Sequence, residues 1–92
     1  MKQKTPKVAD LPGLGVKSAA MLSQVGVDTV AQFNQCDPFV LYQRLTQKLP
    51  STSLNFLYAI IGAQEGVHWQ IIAKTRKTEI MLRLDDMGLA PK

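Results

Sequence analysis

The most informative feature of this chain is the segment Leu11-Pro12-Gly13-Leu14-Gly15-Val16-Lys17-Ser18. Its two glycines stand on either side of one apolar residue, which predicts a sharp turn with positive φ. The residues after the turn predict a helix, whose first N–H groups lack an intrahelical partner and lie at the positive end of its dipole. Such a helix start suits a phosphate oxygen. Lys17 and Ser18 add a charge and a hydroxyl in its first turn.

This turn resembles the hairpin of the helix-hairpin-helix family, a resemblance that implies contact with a nucleic-acid backbone without sequence preference. The residues predicted to bind nucleic acid are Gly13, Leu14, Gly15, Val16, Lys17 and Ser18. The alternative interpretation is a purely structural turn that joins two packed helices. Both interpretations stay open, because the same order of apolar residues is compatible with either.

Two nucleotide-binding motifs are excluded at this turn. A Walker A loop requires its last glycine directly before the lysine, whereas Val16 separates Gly15 from Lys17. A dinucleotide fingerprint requires a third glycine where Ser18 stands, and a strand before the turn. A nucleotide-binding enzyme is therefore not expected.

The positive charge of the chain is concentrated towards its two ends. The net charge is +4, and residues 1–17 hold four lysines against one aspartate. Residues 18–72 hold two basic against three acidic side chains, and residues 73–92 hold five against three. Positive charge beside the turn favours an anionic partner such as DNA. The alternative is a solvated basic tail that keeps a small protein soluble.

Length and composition predict one small domain. Residues 1–7 are interpreted as a flexible basic N-terminal arm, and residues 8–92 as a single helical domain. The one cysteine, Cys36, excludes an internal disulfide. Without a signal peptide or a long apolar run, the protein is predicted to be cytoplasmic. One cysteine and one histidine are too few metal ligands, and without a carboxylate pair or a triad we expect no enzyme activity and no cofactor.

Apolar spacing and helix caps predict an all-α fold, a compact bundle of about five helices, two of them short. Predicted starts are a cap at Asp28 or Thr29, Asp37 with Pro38 at the first helical position, and Ser53. Glycines predict the ends of three helices. The predicted helices span about 16–25, 29–33, 38–49, 54–64 and 75–87. Residues 67–72 are predicted to be a connection with one helical turn.

Two of these helices carry informative apolar faces. The helix over 54–64 is apolar nearly all round, which is typical of a central helix, and Gly62 leaves room for a neighbour to lie close. The first helix has its apolar side at Val16, Ala19, Ala20 and Leu22.

Four segments at a defined spacing carry a wider resemblance. They are Leu11–Ala19, Gly26-Val27-Asp28-Thr29-Val30, Ser53-Leu54-Asn55-Phe56-Leu57-Tyr58-Ala59 and Gly62-Ala63-Gln64-Glu65-Gly66-Val67-His68-Trp69. In this order they resemble the C-terminal domain of the TfoX (Sxy) family of bacterial competence regulators, over about residues 10–84. The last two segments are the most specific. Gly13 departs from the family, which often has asparagine there.

This resemblance implies a helix-hairpin-helix or SAM-like fold and a role in DNA-transformation competence and transcription regulation. Family members carry a further domain before this one, so the chain is expected to be a stand-alone C-terminal domain or an excised one. The implied partners are DNA, the transcription machinery and the cyclic-AMP receptor protein. The first functional hypothesis is weak, salt-sensitive contact with a nucleic-acid backbone through Gly13-Leu14-Gly15. The alternative is a protein–protein interaction domain with a structural hairpin.

His68 and Trp69 allow a functional and a structural interpretation. Trp69 is able to stack on a base and His68 to titrate, but a lone tryptophan in a small domain is usually a core residue, and we favour packing. Asn55 and Glu65 are expected to brace a turn. A second basic cluster is predicted near the start of the last helix, at Lys74, Arg76 and Lys77.

Overall fold

Helix starts and ends in the structure follow local chemical signals. The computed structural model of the protein describes residues 8, 11 and 14–89. They form six helices: α1 Val16–Ser23, α2 Val30–Gln35, α3 Pro38–Lys48, α4 Leu54–Glu65, α5 Trp69–Thr75 and α6 Lys77–Asp86. Among these residues there is no strand, so the predicted all-α class is confirmed. The predicted basic arm over residues 1–7 lies outside the described residues.

The predicted caps at the starts of α2 and α3 are confirmed. Thr29 and Gln32 form a reciprocal capping box at α2. At α3, Asp37 Oδ1 accepts a hydrogen bond of 2.8 Å from the N–H of Phe39, with Pro38 at the first helical position. These bonds satisfy N–H groups that a helix start leaves free. The predicted glycine ends are also confirmed, with positive φ after α1, α4 and α6 at Gly26, Gly66 and Gly88.

The main difference from the predicted helices is α5. A single turn was expected there, but a helix of seven residues begins at Trp69. His68 starts it, because its Nδ1 accepts a hydrogen bond of 3.1 Å from the N–H of Gln70. Arg76, at φ −124° and ψ 13°, separates α5 from α6. The last helix therefore begins at Lys77, two residues later than expected.

The predicted apolar side of α1 is only partly correct. Leu22 is fully buried and Ala19 is half-buried, but Val16 is 82% exposed and Ala20 is exposed. Leu14, just before the helix, is buried instead and belongs to the same core cluster as Leu22.

Two buried clusters share the central helices α3 and α4. The first contains Leu14, Leu22, Val27, Phe33, Leu41, Leu45 and Ile60, together with Val8. The second contains Phe39, Tyr42, Leu57, Tyr58, Ile61, Ile72, Ile80 and Leu84. Because α4 supplies buried side chains to both, its predicted central position is confirmed. Burial raises the pKa of the Tyr42 and Tyr58 hydroxyls above the ordinary value, and Tyr58 adds to the shift of Tyr42.

Candidate functional site

The start of α1 carries backbone donors that have no partner within the helix. Gly15 is its N-cap and, having no side chain, supplies no capping hydrogen bond. Its carbonyl accepts a hydrogen bond of 2.9 Å from the N–H of Ala19. The helix geometry leaves the N–H groups of Val16, Lys17 and Ser18 without an intrahelical partner. No acidic side chain stands in this first turn, so the positive end of the helix dipole is not neutralised from within it.

The predicted positive φ is wrong at Gly15, and Gly13 lies outside the described residues. Gly15 has φ −113° and ψ −167°, an extended conformation. The reason is its position, because an N-cap residue has β-region angles rather than left-handed ones. The helix start, rather than a left-handed turn at Gly15, is therefore what presents the N–H groups.

Four of the six predicted binding residues lie together at this exposed helix start. Gly15 and Lys17 are exposed, Val16 is 82% exposed and Ser18 is half-buried. Leu14 differs, because its side chain is only 4% exposed and packs in the first core cluster. Leu14 thus anchors the segment, and the four residues that follow it form its accessible surface.

Backbone hydrogen bonds tie the segment before α1 to the loop after it. The N–H of Val8 donates to the carbonyl of Asp28 at 3.2 Å, and the N–H of Leu11 donates to Val8 at 3.1 Å. The N–H of Leu14 in turn donates to the carbonyl of Leu11 at 3.2 Å. The start of α1 is therefore held against the body of the domain.

The junction of α4 and α5 is a second glycine-containing turn with different geometry. A Cβ at Gly62 would collide with the carbonyl oxygen of Val67 and would lie 3.3 Å from the nitrogen of Trp69. The carbonyl of Gly62 accepts hydrogen bonds from the N–H groups of Gly66 and Val67, the latter at 2.9 Å. Gly66 has φ +71°. Gly62 thus allows the close approach that was predicted for it.

The two turns lie in the first and the last of the four sequence segments that resemble the TfoX C-terminal domain. A direct match to the family profile decides the family. The sequence profile of the TfoX C-terminal domain matches residues 4–84. The chain belongs to the TfoX C-terminal domain family. Its fold is similar to the crystal structure of an uncharacterized protein from Listeria monocytogenes in a triclinic form, with a TM-score of 0.77. The two share 21% identity over 94% of this chain and 99% of that chain, which shows the fold alone. Among curated proteins, none matches the chain.

In this TfoX C-terminal domain, His68 and Trp69 have distinct structural positions. His68 is exposed and caps α5, and its ring stacks with that of Trp69 at 6.0 Å between centroids. This cap was not predicted from the sequence, because histidine is not among the usual N-cap residues. Trp69 packs against the second core cluster but stays half-buried. Its open part faces clefts on the surface of the domain.

Of the three basic residues predicted to form a second cluster, Arg76 is paired with two carboxylates. Arg76 binds Glu65 at 2.5 Å and Glu79 at 3.0 Å. Hydrogen bonds to these two carboxylates raise the pKa of the Arg76 guanidinium. Glu65 therefore braces the junction of α5 and α6 from the end of α4, whereas the side chain of Asn55 is exposed.

Another long-range contact was not visible in the sequence. The side-chain amide of Gln64 donates hydrogen bonds of 2.9 Å to the carbonyls of Phe33 and Cys36. It thereby adds a donor to two carbonyls at the end of α2, of which that of Phe33 also accepts the N–H of Cys36. This contact joins α4 to α2 at the first core cluster.

Within the part of the chain that the structure describes, no three histidine, cysteine, aspartate or glutamate side chains cluster as metal ligands. The described helices also include none with the length and apolar character needed to span a bilayer.

Proposed function

We propose that this TfoX C-terminal domain is a non-enzymatic regulatory domain that contacts a nucleic-acid backbone at the start of α1. One observation carries the proposal: an exposed helix start without a side-chain cap from Gly15, at which Lys17 stands beside N–H groups that have no intrahelical partner. A phosphate oxygen accepts hydrogen bonds from such N–H groups, and the helix dipole and Lys17 favour its negative charge.

The contact is expected to be weak and to depend on salt. One helix start reaches few phosphates, and each neutralised phosphate contributes a slope of about −0.9 to the dependence of log affinity on log salt. Phosphate contacts also position a protein without reading bases. Lys2, Lys4 and Lys7 lie outside the described residues and add diffuse attraction in this proposal. Membership of the family supports a role for this contact in competence and transcription regulation, in the cytoplasm.

The proposal is tested by titrating labelled DNA with the protein at about 50 mM and 200 mM salt, and repeating the titration with Lys17→Glu. Lys77→Glu is the matched control, because it makes the same charge change at the first position of α6. We expect Lys17→Glu to weaken binding and to lower the salt slope by about 1, and Lys77→Glu to change the slope much less. Absence of binding at low salt, or equal effects of both variants, would contradict the proposal.

The second candidate function is a protein–protein interaction domain with a structural hairpin. It is favoured by the 82% exposure of Val16, an apolar side chain at the tip of the same surface. Its candidate partners are RNA polymerase and the cyclic-AMP receptor protein, which come from the family resemblance alone. A pull-down with each of these proteins, with Val16→Ser as the variant, separates the two functions. Capture that Val16→Ser abolishes and Lys17→Glu leaves intact would favour the protein partner.

A further inference from the structure

Trp69 stands where three surface clefts meet. One cleft, of about 430 Å³, runs from Lys17 and Met21 on α1 across Asn55 and Phe56 on α4 to the tryptophan. The second, of about 210 Å³, lies over the α4–α5 junction, and the third continues along α5 to Lys74. The three clefts share Trp69 as a lining residue, and we call them together the Trp69 groove. Its Lys17 end lies at the same helix start proposed above to bind phosphate.

The ionisable side chains among the described residues of the Trp69 groove are all basic. Its ionisable side chains are Lys17 at one end, Lys74 at the other and His68 beside the tryptophan. None of the described residues that line it is acidic. A fourth cleft differs in this respect, because it is lined by Glu79 and Asp86 together with Arg83. With cations at both ends and no carboxylate among its described lining residues, the groove is complementary to a polyanion.

The tryptophan is held as a fixed platform within this groove. Its ring packs against the second core cluster and stacks with His68 at an interplanar angle of 26°. The close contact of its backbone with Gly62 fixes the start of α5. Ala59, Gly62 and Ala63 line the neighbouring cleft, and such small side chains leave space for a flat ring.

We infer that the Trp69 groove binds single-stranded nucleic acid, with one unpaired base stacked on Trp69 and its flanking phosphates towards Lys17 and Lys74. This inference rests on the proposed function and adds, to its phosphate contact at the start of α1, further contacts along the groove. A single strand is favoured over a duplex because its bases are free to stack on an aromatic side chain between basic residues, without any base-specific hydrogen bond. The occupant is thus a flexible polyanion with exposed aromatic rings.

Trp69 is the one tryptophan of the chain, so intrinsic fluorescence reports on the groove directly. The wild-type protein is titrated with an unlabelled oligothymidine of about 12 nucleotides, within the usual range for one small domain, and with a duplex of equal length. We expect the single strand to quench the fluorescence and to bind more tightly than the duplex. Trp69→Leu removes the fluorophore, so its binding and that of the wild type are compared with labelled oligonucleotides by anisotropy. This variant keeps an apolar side chain and is expected to weaken single-strand binding about 10-fold, with little effect on duplex binding.

Lys74→Glu is a second variant in case Trp69→Leu does not fold, as judged by circular dichroism. It is expected to weaken single-strand binding more than Lys77→Glu, since only Lys74 of this pair lines the groove. If DNA binds and Lys17→Glu weakens it, but fluorescence is unchanged and both DNA forms bind alike, this inference fails while the proposed function stands. If neither form binds at low salt, both fail. Fluorescence that changes on dilution of the protein alone would identify a second copy as the occupant and overturn the inference.

Discussion

A methyl group added at Gly62 would collide with the backbone oxygen of Val67, whereas at Gly15 no atom of the described residues lies within 4 Å of the added carbon. Both glycines belong to motif segments of the same family. Gly15 directly precedes α1, whereas Gly62 lies within α4 against the residues that lead into α5. At Gly62 the small residue is explained by the packing of α5 against α4. At Gly15 the backbone is extended, at φ −113°, so neither the described packing nor the backbone angle requires glycine.

This difference separates a structural turn from a candidate binding turn. The space at Gly62 is filled by the chain itself, so substitutions there are expected to change stability. No described residue fills the space at Gly15, which begins a helix whose first N–H groups have no intrahelical partner, so substitutions there are expected to change binding and leave stability nearly unaltered.

The largest effect is expected for Gly62→Ala. Because its neighbours are backbone atoms rather than flexible side chains, overpacking of up to about 3 kcal/mol outweighs the gain of about 1 kcal/mol in helix propensity. We expect a net loss of about 2 kcal/mol, or a fall in Tm of roughly 10 °C for a domain of this size. Thermal denaturation by circular dichroism measures it. An unchanged Tm would show that α5 moves away from α4 without loss.

Gly66→Ala is expected to be the next most damaging. Gly66 has φ +71°, and an L-residue in the left-handed region loses about 1–2 kcal/mol. Gly66→Asn is the matched control, because asparagine tolerates this conformation better. Urea denaturation of the two variants is the measurement, and equal losses would argue against a backbone cause.

His68→Ala is expected to destabilise the domain by about 1 kcal/mol, because it removes the side-chain cap of α5. His68→Asn restores a good capping side chain and is expected to recover most of that loss. Comparing the unfolding free energies of the two variants tests the cap. If both variants lose the same free energy, the stacking of His68 on Trp69 rather than its hydrogen bond is responsible.

Glu65→Gln is expected to have a smaller effect, below about 1 kcal/mol, since the ion pair with Arg76 is partly exposed and exposed pairs contribute little. The difference from wild type is expected to shrink at about 1 M salt, where screening is strong. Asp85→Asn, at an exposed position of α6, serves as the control for charge alone. A loss that persists in high salt would indicate packing rather than charge.

Gly15→Asp is expected to change stability least and to distinguish the binding turn from the structural turn most clearly. A carboxylate at this N-cap accepts hydrogen bonds from the free N–H groups and favours folding by a few tenths of a kcal/mol. The carboxylate also occupies the position proposed for phosphate and repels a phosphate group. DNA binding is therefore expected to fall while Tm is equal or higher. Gly15→Ser is the uncharged control. Unaltered DNA affinity in Gly15→Asp would remove the start of α1 as a phosphate site.

Most helix boundaries were predictable because their signals are local. The capping box at Thr29, the Asp37-Pro38 start and the glycine ends each act within one turn of the chain. The helix α5 was missed because its cap is a histidine, whose role depends on which ring nitrogen accepts the hydrogen bond. The exposure of Val16 was missed because an apolar spacing does not show which end of a short helix reaches the core.

The candidate site likewise has a part that was predictable from the sequence and a part that was not. The helix start with Lys17 was visible as a motif, because a phosphate site of this kind is built from consecutive residues. The Trp69 groove was not, because it joins residues of α1, α4 and α5 that are far apart in the chain. No sequence period shows that Lys17 and Trp69 line one cleft.

The amino-acid sequence by itself determined the helical class, the family and the positions of the main turns, because caps, glycines and apolar spacing act through neighbouring residues. The tertiary structure alone decided which side chains those helices leave open. It placed Glu65 on Arg76, directed the amide of Gln64 to the end of α2, and left part of Trp69 uncovered between two lysines. These outcomes depend on how helices pack against one another, and packing is a property of the whole chain.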